Sequence, residues 1–251
     1  MDDRNNRKNF TVLDALDTST LVGYILDLLN LSRSLESIKM ELAIKTDFNL
    51  MDAFAIFDQS GEGYCTLEKF REKLGFIGAS VPERCYLEVF FNRYNKQNDG
   101  HLKYSEFMNA IMPLSDEFSK IMMNTKPKGV FMKPKHPISM WEGETYGIFI
   151  RVLESLLKTE MATHDIIQKL LIRPKFSVER AFHTLALEQL RIEDTPSIDF
   201  VTYRDLNMLM EKHNHKNILE QLDLRLIIDR FDKDNDGKIG KNEVSFQIFK
   251  L

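Results

Sequence analysis

Apolar residues recur at helical spacing along most of the chain, which predicts an all-α protein. Glycine and proline, which interrupt helices, number only 11 and 7 among 251 residues. Each half of the chain has one strongly apolar helical segment near its start, TLVGYILDLLNL at 20–31 and FIRVLESLL at 149–157. The fold is therefore expected to combine long apolar helices with shorter amphipathic ones.

Four shorter helical patterns share one arrangement of large apolar residues. Each has two such residues three positions apart, directly before a polar stretch: Phe54 and Phe57, Phe91 and Tyr94, Phe182 and Leu185, Ile228 and Phe231. Each helical pattern that follows a polar stretch begins with one large apolar residue: Phe70, Phe107, Tyr203 and Val244. Such residues fall on one face of a helix, so the chain is predicted to contain four helix–loop–helix units.

The last polar stretch, DKDNDGKIGKNE at 232–243, has the residue spacing of a calcium-binding loop. Calcium takes about six to eight oxygen ligands. The predicted ligands are four side-chain carboxylates and one backbone carbonyl, from Asp232, Asp234, Asp236, Glu243 and Lys238. Gly237 stands where the chain must turn sharply. One calcium ion is expected here, with magnesium as a competitor because carboxylates also hold that ion.

This stretch, with the helical patterns on either side, resembles the EF-hand superfamily, to which calmodulin belongs. In that family the loops come in pairs that are coupled through the eighth loop position. The resemblance implies that Ile239 pairs, strand-like, with a second loop. It also implies two lobes, each built from a pair of loops and their helices.

Two loops in the first half keep the outline of the motif but lack ligands. In NKQNDGHLKYSE, 95–106, Asn95 and Gln97 replace the carboxylates of positions 1 and 3, so calcium binding is expected to be weak or absent. In DQSGEGYCTLEK, 58–69, Lys69 replaces the closing carboxylate by a cation. That change removes two ligand oxygens and repels a metal ion.

The remaining loop, at about 186–202, is the most altered. Counting back from Ile198 places its first position at Arg191, whereas counting forward from the entering helix places it at Ala186. The two counts differ by five residues, which indicates an insertion of five. Neither count supplies a set of oxygen ligands, so no metal is expected there.

The two halves of the chain align with each other without gaps when one is shifted by 128 residues, which predicts an internal duplication. The predicted segments are an N-terminal helical segment 1–45, a first lobe 46–123, a linker 124–144, a second helical segment 145–173 and a second lobe 174–251. We expect each upstream helix to pack under its own lobe. The alternative is that these helices fill grooves that would otherwise receive a partner helix.

Composition restricts the classes of partner. The net charge of −4 gives no general attraction to nucleic acid or anionic membrane. No apolar run reaches the ~20 residues that span a bilayer, and the polar N-terminus lacks a signal peptide, so a cytoplasmic protein is expected. The linker carries lysines 126, 128, 133 and 135, which could hold an acidic partner such as the surface of a microtubule. Its Trp141 is expected to dock on a lobe or on a partner.

No catalytic constellation is present among the sequence motifs, and the six histidines are scattered, so we do not expect an enzyme. The preferred hypothesis is a calcium-binding accessory protein with one competent site, which binds helical segments of proteins in a larger assembly. The alternative is a calcium-independent structural subunit, similar to light-chain-like EF-hand proteins. A looser resemblance to EF-hand proteins of protist cilia and cytoskeleton implies a ciliary or axonemal location.

Overall fold

The computed structural model describes residues 12–127, 141–186, 199–215, 221–232 and 236–244. The helices with described bounds are α1 Ala15–Ala43, α2 Leu50–Phe57, α3 Leu67–Phe76, α4 Arg84–Tyr94, α5 Tyr104–Ile111, α6 Asp116–Asn124, α7 Gly143–Leu171, α8 Val178–Leu185, α9 Tyr203–Lys212 and α10 Gln221–Phe231. A further helical turn occupies 241–244. The all-α prediction is confirmed. None of these helices is both long and apolar enough to cross a membrane.

The strands are short and join loops in pairs. Strand β1 is Tyr64–Thr66, β2 is His101–Lys103, β3 is Phe200–Val201 and β4 is Ile239–Gly240. Antiparallel pairing places Cys65 opposite Leu102 and Val201 opposite Ile239, and all four of these side chains are buried. The predicted strand-like pairing of Ile239 is confirmed. Burial raises the pKa of the Cys65 thiol to about 12, which agrees with a structural role for this residue.

The register of the second strand pair corrects our count of the altered loop. Val201, and not Ile198, lies opposite Ile239, the eighth position of its own loop. Val201 follows Ala186 by 15 positions, where the other loops have 7, so the insertion is eight residues and not five. The first buried apolar residue of α9 is accordingly Leu206, 1 % exposed, whereas Tyr203 is 36 % exposed. Several neighbouring apolar residues could fill the eighth position, and only the pairing itself decides among them.

The described chain forms two compact units, one of which combines distant parts of the sequence. The N-loop unit is Ser32–His164 and contains the loops 58–69 and 95–106; the C-loop unit is the chain up to Leu31 together with Asp165 onwards. Both boundaries fall inside continuous helices, α1 and α7. Each long helix therefore contributes its first part to one unit and its second part to the other.

The N-loop unit has an aromatic core. The ring of Phe70 stacks on Phe57 at 4.8 Å and on Phe90 at 5.3 Å. The first part of α7 adds a row of buried residues to this core: Ile148, Phe149, Val152, Leu153, Leu156 and Leu157. Trp141 packs against Phe48 of the predicted first lobe at 5.3 Å between ring centres, so the expectation that it docks on a lobe is confirmed. Other residues of the linker, 128–140, lie outside the described part of the chain.

The C-loop unit has the first part of α1 as its covering helix. Leu21, Tyr24 and Ile25 line an apolar cavity of about 50 Å³ together with residues from the helices beside loop 232–243. At the start of α1, the Leu13 N–H donates to Thr184 Oγ1 at 2.9 Å, and Asp17 pairs with Arg173. Apolar burial and polar contacts thus hold this helix in place.

The expected packing of the upstream helices is therefore corrected. Segment 20–31 covers the lobe of the second half, and 149–157 covers the lobe of the first half, so the two segments are exchanged. Only the later parts of α1 and α7, with Leu42 and Leu170, pack under their own lobes. The sequence shows that a helix face is apolar, but two similar lobes offer it equivalent partners, so the choice between them was not predictable.

Candidate metal centre

Loop 232–243 begins directly after α10 with a carboxylate that the loop backbone holds. Oδ2 of Asp232 accepts from the Gly237 N–H at 2.8 Å, and its Oδ1 accepts from the Asp236 N–H at 3.2 Å. The side chain is almost fully buried. Gly237 has a φ of +80°, a conformation that side chains with a Cβ rarely adopt, and this lets its N–H point back at Asp232.

The closing glutamate of this loop is joined to the helical turn that follows. Oε2 of Glu243 accepts from the Gly240 N–H at 2.7 Å. A Cβ added to Gly240 would lie 3.4 Å from that same oxygen, so glycine leaves room for the close approach of the carboxylate. The Glu243 carboxylate therefore caps the turn 241–244 and remains beside the loop.

Four of the five predicted ligands lie in the described part of this loop. Asp232, Asp236, Lys238 and Glu243 are described, whereas Asp234 lies outside the described residues. Within the part of the chain that is described, no three acidic, histidine or cysteine side chains converge as a metal-binding group. The available donors are carboxylate and carbonyl oxygens, which suit calcium or magnesium and not the softer metals. These residues fit such an ion by their chemistry and their order in the loop.

The charged ends of two lysines in this loop contact side chains outside the loop. The Lys238 Nζ lies 4.2 Å from the centre of the Phe200 ring, a cation–π contact. The Lys241 Nζ binds Glu179 Oε1 at 2.7 Å, and this bond holds the pKa of the Glu179 carboxyl below its usual value. The predicted role of Lys238 is compatible with this geometry, because only its backbone carbonyl would face an ion.

Loop 58–69 shows the same backbone arrangement with a different closing residue. Asp58 accepts from the Glu62 N–H at 2.9 Å and from the Gly63 N–H at 2.7 Å, as Asp232 does in its loop. Lys69, at the closing position, donates through Nζ to Ser60 Oγ at 3.0 Å and to Glu62 Oε2 at 2.7 Å. The hydrogen bond to Lys69 is the main reason that the pKa of Glu62 is lowered.

In loop 95–106, both oxygens of the closing carboxylate accept hydrogen bonds from the backbone. The two oxygens of Glu106 accept from the Lys96 N–H at 2.7 Å and from the Lys103 N–H at 2.9 Å. The Lys103 Nζ contacts Gln97 Oε1 and lies 3.0 Å from Asp99 Oδ2. The hydrogen bond to Lys103 is the main reason that the pKa of Asp99 is lowered.

The first position of loop 95–106 carries an unsatisfied acceptor. Asn95 is only 4 % exposed, and its buried Oδ1 has no hydrogen-bond partner among the described residues. Loss of a buried hydrogen bond costs about 1–3 kcal/mol. Asn95 Oδ1 therefore lacks the backbone contacts that the carboxylates of Asp58 and Asp232 receive.

Sequence reasoning missed one carboxylate that is equivalent to a closing residue. Asp205 Oδ2 accepts from the Thr202 N–H at 2.8 Å and from the Thr202 hydroxyl at 2.6 Å. Asp205 stands four positions after Val201, as Glu243 stands four positions after Ile239. The correct strand register was the signal that would have found it. The residues between 186 and 199, where the first ligands of this loop would lie, are outside the described residues.

The described geometry defines a class of protein: an all-α chain with helix–loop–helix units whose loops pair through short strands. In agreement, the chain is similar to the human EF-hand calcium-binding domain-containing protein 11, with 34 % identity over 58 residues. The match spans 23 % of this chain and about a third, 35 %, of the length of that relative. No family model matches the chain. The similarity supports a relationship to EF-hand calcium-binding proteins and does not extend to protists, cilia or the cytoskeleton.

Proposed function

We propose that this protein is a calcium-binding accessory protein whose competent site is loop 232–243. The proposal rests on the environment of Asp232. Its buried carboxylate accepts hydrogen bonds from two backbone N–H groups, and the loop that it begins ends in Glu243. The predicted ligand set carries four negative charges, which favours a divalent cation. When bound, calcium supplies the positive charge that this cluster of carboxylates lacks.

The same loop is connected to the apolar interior of the C-loop unit. Glu243 caps the turn 241–244, and Val244 of that turn lines the apolar cavity together with Ile239 and Phe231. Leu21 and Ile25 of α1 line the same cavity. A change in the position of Glu243 would therefore alter the packing of the loop helices against α1. This connection supports a calcium-responsive role for the C-loop unit.

Calorimetric titration of the full chain with calcium tests the proposal. We expect one site with a Kd of roughly 10⁻⁷–10⁻⁵ M, which Glu243→Gln abolishes. Glu179→Gln is the matched control, because it makes the same chemical change at an exposed carboxylate that binds Lys241 and lies outside the loop. Magnesium should compete. Absence of binding, or binding that survives Glu243→Gln, would contradict the proposal.

A calcium-independent structural subunit is the second candidate. Two observations favour it: lysines bind the loop oxygens of the N-loop unit, and helices of the same chain cover the apolar faces of both units. Such a subunit needs no metal to hold its fold. Under this alternative, the wild-type protein would bind no calcium, and its thermal unfolding would be identical in calcium and in chelator.

We further propose protein partners within a larger assembly, in keeping with an accessory function and without catalysis. Large apolar side chains exposed on the N-loop unit support contact with helical segments of other proteins: Ile44, Met51, Phe76 and Met123. The linker lysines support binding to an acidic surface such as a microtubule, in a cytoskeletal or ciliary setting. Co-sedimentation with microtubules should decline with salt and after Lys133→Glu with Lys135→Glu. Pelleting that neither salt nor these substitutions reduce would contradict the electrostatic contact.

A further inference from the structure

Both loops of the N-loop unit contain a lysine whose ammonium group joins the oxygens of the third and fifth loop positions. In loop 58–69 this is Lys69, which binds Ser60 Oγ at 3.0 Å and Glu62 Oε2 at 2.7 Å. In loop 95–106 it is Lys103, which contacts Gln97 Oε1 and lies 3.0 Å from Asp99 Oδ2. The third and fifth positions are those from which loop 232–243 would offer Asp234 and Asp236 to an ion.

The two lysines reach this common position from different places in their loops. Lys69 is the twelfth residue of its loop, whereas Lys103 is the ninth of its own. In loop 232–243 the ammonium groups of Lys238 and Lys241 instead contact a ring and a carboxylate outside the loop. The bridging contact is thus present in both loops of the N-loop unit.

An ammonium group can substitute for part of what a metal ion does. It carries a positive charge and three N–H donors, and so it can hold two or three oxygens together. It is attached to the chain, so a loop that contains it closes without taking up an ion. It also repels a second cation from the same oxygens.

We propose that Lys69 and Lys103 are the resident cations of the N-loop unit, which close its two loops in place of a metal and prevent calcium from binding there. This role stands on the geometry of the N-loop unit alone. Only its corollary, that the two lysines restrict calcium to the C-loop unit, rests on the proposed function of loop 232–243.

The test replaces Lys69 in a protein whose predicted calcium site, loop 232–243, has been inactivated by Glu243→Gln. Lys69→Glu in the Glu243→Gln background restores a carboxylate at the closing position, beside Asp58 and Glu62. Lys73→Glu in the same background is the control, since it makes the same charge change on α3 but at a lysine that pairs with Glu72. Calcium is titrated into each full-length variant by calorimetry, and far-UV circular dichroism verifies that each is folded.

We expect Lys69→Glu to gain one calcium site with a Kd below about 10⁻³ M, which neither Lys73→Glu nor the Glu243→Gln parent has. A folded Lys69→Glu protein that binds no calcium would overturn the proposal. So would calcium binding by the Glu243→Gln parent itself at loop 58–69 or loop 95–106. Because every comparison is made without Glu243, these outcomes do not depend on whether loop 232–243 binds calcium in the wild type.

A second measurement applies even if Lys69→Glu does not fold. Lys69→Gln removes the ammonium group and keeps a polar side chain of similar length. Carboxyl resonances of the full-length protein report the titration of Glu62, whose pKa Lys69 lowers. We expect this pKa to rise toward its ordinary value in Lys69→Gln and to stay unchanged in Lys73→Gln. An identical Glu62 titration in the wild type and in Lys69→Gln would show that the ammonium group does not hold that oxygen in solution.

Discussion

A buried lysine in the N-loop unit makes the stability of this unit depend on pH. Lys39 is 8 % exposed, and its Nζ donates to the Met112 carbonyl at 3.3 Å. Burial lowers the pKa of Lys39 from 10.5 to about 8, with a smaller opposing effect from the nearby Glu36 carboxylate. Arg93 lowers this pKa further, and Glu160 raises it. The folded protein therefore disfavours the charged form of Lys39.

The size and direction of the effect follow from this pKa. One pKa unit corresponds to about 1.4 kcal/mol, so a change from 10.5 to about 8 corresponds to about 3 kcal/mol. Below pH 8 Lys39 is charged in both the folded and the unfolded state, and the whole cost of burying the charge is present. Between about pH 8 and 10.5 the unfolded state binds more protons, so the free energy of unfolding rises with pH.

Lys39→Met removes the titrating group and keeps an unbranched apolar side chain. Urea unfolding can be followed by the fluorescence of Trp141, the single tryptophan, which lies in the same unit. Between pH 7 and pH 10.5 we expect the wild type to gain about 3 kcal/mol relative to Lys39→Met. Lys120→Met, at an exposed lysine of α6, is the reference for loss of a surface lysine. A difference between wild type and Lys39→Met that stays constant across this pH range would refute the reasoning.

Two further predictions compare a buried and an exposed position on one helix. Leu28→Ala, at a residue of α1 that is 1 % exposed, should lower the free energy of unfolding of the C-loop unit by about 2–5 kcal/mol. Leu16→Ala, at 69 % exposure, should change it by less than about 0.5 kcal/mol; equal effects in urea unfolding followed by circular dichroism would contradict the packing of α1 on that unit. Phe70→Ala, at the centre of the aromatic core, should cost about 3–5 kcal/mol in the Trp141 fluorescence assay. Phe76→Ala, on the exposed side of α3, should cost far less, and the reverse order would contradict the assigned core.

Local chemistry explains what was predictable from the sequence. Helical spacing identified the all-α fold, and the resemblance to paired EF-hand loops implied the strand pairing of Ile239. The order of carboxylates and glycine identified loop 232–243 as the candidate site. Each of these inferences depends on residues that are close together in the sequence, where backbone geometry fixes what can be neighbours.

The features that were missed depend on choices between equivalent partners. Apolar helix faces such as 20–31 fit either lobe, so their exchange between the two halves could not be read from periodicity. The insertion in the altered loop hid the register at Val201, and with it the capping carboxylate of Asp205. The bridging role of Lys103 depends on the direction of a long, flexible side chain, which sequence spacing does not specify.

The central claim is that calcium binds at loop 232–243 and not at the two described loops of the N-loop unit. The sixth-position glycines Gly63, Gly100 and Gly237 all have positive φ, and each supplies one amide resonance in a ¹H–¹⁵N correlation spectrum. Because the Gly237 N–H donates to Asp232 Oδ2, a cation on that carboxylate should polarise this bond. During a calcium titration we predict a large, saturable shift of the Gly237 amide, while the Gly63 and Gly100 amides stay in place. An unmoved Gly237 amide, or a comparable shift at Gly63 or Gly100, would contradict the account.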